Sequence, residues 1–291
     1  MNNIEINYPR WIIEGSKNHL YWGAATVNNA LHEFHDETAA DGILPPENGL
    51  DVFVNHNNEA ANFAIMGVQI ELSFTGGTSH AAAMAFLTTF YDPFLAIFSW
   101  AVTKAYLPDV MLSNTEQESD DLKETAYHEF SHASHYRQVG KDFWKDLVEA
   151  EIRSNGWGDA NGEFAPLIAL CESWPSHMGH TYANRTYQGL RATHALNVGN
   201  RTWINFLEQR VNFRPGHVPI GLYHDMIDNI NAIDIGIGII DNVNGFTQQQ
   251  IFSCLTSDIR DVEAFRQCII DNHLFSSGNN ITELNNLFNS Y

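Results

Sequence analysis

The segment Thr125-Ala126-Tyr127-His128-Glu129-Phe130-Ser131-His132-Ala133-Ser134-His135-Tyr136 constrains the fold of this chain more than any other stretch. It contains the pattern His-Glu-x-x-His, which acquires its chemistry on a helix. There His128 and His132 lie one turn apart on one face, both imidazoles reach a single metal ion, and Glu129 projects beside them. Zinc is the expected ion, one per chain. It brings the pKa of a water toward neutrality, and Glu129 is the expected general base as that water attacks a carbonyl. The flanks favour the helix. Asp120, Asp121 and Glu124 put negative charge on its first turn, where the macrodipole favours it, and Gly140 is suited to stop it near Val139. The rival reading is a solvated His-rich face, because the chain carries 14 histidines.

A catalytic zinc needs a third protein ligand and an open position. His135 lies one further turn along. Three histidines so close on one straight helix are poorly placed for a tetrahedral corner, so an orienting or surface role is expected for it. Among downstream acids, Glu149 and Glu151 fall between Asp146 and Arg153, where Glu149 pairs with Arg153 at i,i+4 and both read as a solvated face. Glu172 differs. It is embedded in the apolar helix from about Phe164 to Trp174, where a lone carboxylate is costly to bury unless a metal offsets the cost. Glu172 is the favoured ligand. The alternative has it facing solvent or paired with Arg185 or Arg191.

His128-Glu129-x-x-His132 with a helical Glu172 downstream resembles the gluzincin arrangement of zinc metallopeptidases. More closely, His128 to Tyr136 followed by Cys171-Glu172-Ser173-Trp174 resembles a group of zincin-like proteins of bacterial cell envelopes. Gly221-Leu222-Tyr223-His224-Asp225 and Asn244-Gly245-Phe246-Thr247 are similar to the same group. The resemblance implies His128, His132 and Glu172 as ligands, Glu129 as base, and an exported protein, but supplies no substrate. Pro175 and Ser176 depart from the pattern, which has a small residue and an aromatic after Trp174. The donors left to stabilise a developing oxyanion are His177, His180 and Tyr223, each of which also reads as a hydrogen-bonded residue in or near the core.

Composition narrows the function classes. Fifteen basic residues against 35 acidic ones give a formal charge of −20, which disfavours nucleic acid and anionic lipid surfaces as partners. The apolar region 81–107 is interrupted by Asp92-Pro93 and Lys104, so no transmembrane segment is expected. Of the three cysteines, Cys254 and Cys268 either pair or stay as buried free thiols, and free thiols are the simpler expectation. No export signal is visible at Met1-Asn2-Asn3, so the chain is cytoplasmic or its numbering begins after a removed signal.

The expected fold class is α+β, predominantly helical. A sheet-bearing lobe over 1–139, ending in the His-Glu-x-x-His helix, is followed by a helical lobe over 140–291 that supplies the third ligand. The spacing predicts a helix over 24–39 and strands over 50–55, 66–74 and 108–113. Helices follow over about 120–139, 142–154 and from 164, with a capping box at Thr247 and Gln250, a helix opened by Asp258, and a last one over 281–288. His32 and His35 read as surface. Asp225 and Asp228 flank a short amphipathic helix, as solvation or as a partner to a ligand histidine. Together these readings make the chain a zinc-dependent metallohydrolase whose substrate is a peptide or protein. The alternative is a surface adhesion or binding module that keeps an idle metal site.

Overall fold

Ser16 opens the first helix, α1 (Lys17–Ala40), by accepting a hydrogen bond from the amide of His19. The residues buried along it, His19, Gly23, Thr26, Val27, Ala30, Phe34 and Thr38, mark one face of the helix. The helix therefore begins seven residues before the apolar periodicity alone predicts. Histidine, glycine and threonine share its buried face and hide the pattern. His32 is exposed and His35 half-buried. The computed structural model describes residues 16–55, 62–64, 66, 108–114, 118–154, 156–187, 217–228 and 241–291.

Three strands form one sheet in the order β1 (Val52–Asn55), β3 (Val110–Ser113), β2 (Phe63–Ala64). β1 runs parallel to β3 with Val52 opposite Val110, and β2 runs antiparallel with Ala64 opposite Val110. The central strand is buried at every position, as its uninterrupted Val-Met-Leu-Ser run requires. The strand expected over 66–74 lies outside the described residues except for Met66, and so does the apolar region 81–107.

The sheet packs on α2 (Ser119–Ser154), which carries the His-Glu-x-x-His segment. Gly140 breaks α2 with φ 82° and ψ 177°, so the two helices expected on either side of it run on as two segments. Nothing lies within 4 Å of where a Cβ would stand at Gly140. Conformation, not space, calls for glycine there. α3 (Ala165–Tyr187) packs along α2, with Gly179 set against it. A Cβ on Gly179 would sit 2.9 Å from the carbonyl oxygen of Glu124 and 3.3 Å from the Cβ of His128.

Five shorter helices complete the described chain: α4 (Leu222–Ile227), α5 (Gln248–Ser253), α6 (Val262–Asn272), α7 (Leu274–Ser277) and α8 (Ile281–Phe288). The capping box at Thr247 and Gln250 is present, and the flanking Phe246 and Ile251 are buried. α6 starts later than predicted. Asp261 is its cap, while Asp258 accepts a hydrogen bond from Thr256 in the preceding turn. Asp225 does not solvate α4. It is buried and accepts a hydrogen bond of 2.6 Å from the hydroxyl of Tyr291.

Cys254 and Cys268 form a disulfide, contrary to the expectation of free thiols, and Cys171 is free and buried. The caps of α5 and α6 turn the intervening chain back on itself. They bring the two Cα atoms to 5.8 Å, within disulfide reach. One cluster of buried side chains runs from Val27 on α1 to Phe288 on α8 and crosses position 140 without a gap. Among the described residues the fold is α+β and predominantly helical, and no helix is long and apolar enough to cross a membrane.

Candidate metal centre

The metal-ligand segment sits where the first half of α2 meets α3. Ala126, Tyr127, Phe130 and Ala133 take the buried face toward the core, which leaves His128, Glu129 and His132 along the edge facing a cavity of about 500 Å³. The Nε2 atoms of His128 and His132 stand 3.1 Å apart. From α3, Glu172 reaches both with different oxygens, Oε2 at 3.4 Å from His128 and Oε1 at 3.4 Å from His132. All three ligand atoms fall within 4.8 Å of one another, and this is the one such group among the described residues. His128, His132 and Glu172 can hold a metal ion.

The electrostatics agree with the packing. Burial raises the carboxyl of Glu172, yet the charge of His132 and hydrogen bonds from both imidazoles hold it well below the usual carboxylate range. Burial lowers His128, but its hydrogen bond to Glu172 and the charges of Glu129, Glu172 and Glu124 together outweigh that and leave the imidazole raised. Two imidazoles and one carboxylate answering one another in this way are a donor set a cation can replace. Glu129 is 4% exposed, and its Oε2 has no hydrogen-bond partner. Burial pushes its pKa up against the pull of the two histidines.

Ser176 accounts for part of this order. Its hydroxyl donates to the carbonyl of Glu172 at 2.8 Å and lies 3.4 Å from Nδ1 of His128. The Nδ1–H of His128 can therefore point at the hydroxyl while Nε2 stays free for a cation. Ser176 thus links the backbone of Glu172 to the ring of His128.

The remaining expected residues are placed unevenly. His180 lines the cavity, with Nδ1 2.5 Å from the carboxylate of Glu124. His177 is buried elsewhere. Its Nε2 is 2.8 Å from the amide of Gln248, and its ring lies against Tyr223. The Tyr223 hydroxyl pairs with Ser173 at 2.9 Å. Neither of these two is brought to the cavity wall. His135 is buried among Phe143, Trp144 and Trp174, away from the ligand group. His224 pairs with Asp228 at 3.1 Å.

Glu151 overturns its expected place on a solvated face. It lines the cavity, and its side chain is hydrogen-bonded to that of Glu172. Burial and the neighbouring negative charge of Glu172 raise its pKa well above the usual range. A sequence signal for this existed. Trp144, Leu147, Val148 and Glu151 share one stripe of the second half of α2, and the first three line the same cavity. Glu149 is as expected, ion-paired with Arg153.

No protein-family model, no curated protein and no solved structure matches the chain.

Proposed function

We propose that this chain is a zinc-dependent hydrolase acting on peptide bonds, of zincin-like, gluzincin type. The observation that carries the reading is the spacing of the three donors. Two ligands at tetrahedral positions around one zinc stand about 3.3 Å apart. Here the two Nε2 atoms stand 3.1 Å apart, each lies 3.4 Å from a different oxygen of Glu172, and one atom from each residue falls within 4.8 Å of the others. Zinc bound there would supply Lewis-acid polarisation of a carbonyl and acidify a water.

The chain's own residues then divide the work. His128, His132 and Glu172 hold the ion, and Ser176 orients His128. Glu129 takes and returns a proton from its unpartnered Oε2. Its raised pKa brings it nearer neutrality, where a carboxylate is a better base. Among the three expected oxyanion donors, His180 is the one on the cavity wall, and we assign it that role. A binding module with an idle metal has no use for Glu129. An unpartnered buried acceptor costs about 1–3 kcal/mol. The Cys254–Cys268 disulfide supports an extracytoplasmic location, where such bonds persist.

The test is elemental analysis followed by a peptide-library screen. About one zinc per chain is expected, with Glu129→Gln retaining zinc and losing roughly a hundredfold or more in cleavage rate. A chain that takes up no zinc, or a Gln variant that cuts at the wild-type rate, overturns the proposal.

A further inference from the structure

We infer that Trp144 is the positioning residue of the ligand His132, returned to it by the break at Gly140. The inference rests on the reading of His128, His132 and Glu172 as metal ligands, and it concerns what sets one of the three. A histidine that ligates through Nε2 carries its proton on Nδ1, and an acceptor for that proton normally fixes the ring. His128 has such a partner, with Nδ1 3.4 Å from the hydroxyl of Ser176. His132 does not. Its Nδ1 is buried and meets no hydrogen-bond partner among the described residues. Packing has to do for His132 what a hydrogen bond does for His128.

The packing partner is Trp144. Its ring lies 5.7 Å from that of His132 at an interplanar angle of 69°, an edge-to-face arrangement. The indole is 1% exposed and is itself held, because its N–H donates to the carbonyl of Ala64 on β2 at 3.1 Å. Contacts with the rings of His135 and Tyr136, at 5.8 and 5.9 Å, confine it further. The ring of His128 also meets His132, at 4.8 Å, but it is a ligand of the same ion and gives no independent support. A straight helix cannot make the contact with Trp144. Residue 144 follows residue 132 by more than three turns, about 18 Å along a straight axis at 1.5 Å per residue. The φ of 82° at Gly140 breaks that axis and lets the second segment of α2 bring Trp144 back against the first. Ala64, Trp144 and His132 all line the cavity, so the ligand ring is referred through one indole to the backbone of the sheet.

Two measurements on the full chain test this: zinc affinity, by competition with a chromophoric chelator, and the visible absorption of the cobalt-substituted protein. Trp144→Leu removes the ring and should weaken zinc about ten- to a hundredfold, the range for groups that orient a ligand histidine, with a shifted cobalt band. Trp144→Phe keeps an aromatic ring beside His132 and loses the hold on Ala64, so its affinity should fall between those of the Leu variant and wild type. Phe143→Leu is the control. Phe143 is equally buried on the same segment and packs on His135, which is not a ligand. Its loss should lower the melting temperature while leaving zinc affinity and the cobalt band as in wild type. Wild-type affinity and an unmoved band in Trp144→Leu overturn the inference. An equal loss of affinity in Phe143→Leu does so too, because the effect is then one of general stability. Should Trp144→Leu not fold, the same two readings on Trp144→Phe decide it, and an unchanged affinity and band overturn it. A chain that takes up no metal loses this inference together with the hydrolase reading. A zinc-loaded chain that cuts no peptide and still responds at Trp144 loses the hydrolase reading alone, and one that cuts peptides without responding loses this inference alone.

Discussion

Glu172 and His135 are both buried polar residues of the two long helices, yet removing each should have different consequences. Glu172→Ala leaves two imidazoles to hold the ion, and metal content after dialysis should fall severely. His135→Ala should keep the metal and lose stability instead, because its ring fills a pocket of Phe143, Trp144 and Trp174. Elemental analysis and thermal melts on both variants check this. Acid should act through histidine too. Burial, and then the charge of His132, lower His135 to about 3. Burial, and then His224, lower His177 well below its ordinary value. Unfolded, both rings take up protons near pH 6.5, so the unfolded chain binds more protons below that pH. The stability they contribute is full above about pH 6.5 and drains away as the pH falls toward 3. Denaturant midpoints between pH 7 and pH 4 should fall, and less steeply in His135→Phe. At this scale the sequence was legible at His128 and His132, whose spacing sets them on one helix edge, and at Glu172, whose apolar surroundings single it out, and the structure brings the three together. The sequence misled where identity and burial disagree. Glu151 and Glu149 look alike in a charged stretch, and only the apolar stripe through Trp144 and Leu147 tells them apart.

Two glycines on or against α2 test what its packing tolerates. Gly179→Ala puts a methyl group 2.9 Å from the carbonyl of Glu124, and α3 must move away beside His128. Overpacking of this kind costs about 1–3 kcal/mol. Because the strain falls on a ligand, metal affinity should drop along with the melting temperature. Gly140→Ala meets no neighbour but must hold φ near 82°. That costs about 1–3 kcal/mol, and metal binding should survive. Paired melts and metal titrations distinguish the two outcomes. The break at Gly140 was legible because a glycine between two amphipathic stretches has few other uses. The start of α1 and the cap of α6 were less so. Ser16 precedes a face of histidine, glycine and threonine, and Asp258 and Asp261 compete for one cap with similar chemistry.

Over the whole molecule, the C-terminal helices are tied to the ligand helix by few but specific links. Gln138 on α2 donates to the carbonyls of Phe252 and Leu255, on either side of Cys254. The disulfide from Cys254 to Cys268 closes a loop with a sequence separation of 14. A cross-link over a loop of that size is worth about 3 kcal/mol. Cys268→Ser should lower the midpoint of unfolding accordingly while leaving metal content unchanged, read by denaturant titration with elemental analysis. The pairing was not legible in the sequence, because two cysteines fit a buried thiol as well as a bond until the turns between them are known. The sheet carries a different consequence, for the order of assembly. Every pair between β1 and β3, from Val52 with Val110 to Asn55 with Ser113, has the same sequence separation, so no short-range contact starts the parallel ladder and the full loop must close at once. The pair α2 and α3 instead begins near its connection, where Arg153 lies over the ring of Phe164, and can zip outward from there. Local contacts of that kind form early, and non-local pairing is slow. The two helices that carry the metal ligands are thus the part of the molecule that can assemble first, and the sheet at their side closes afterwards onto a centre already in place.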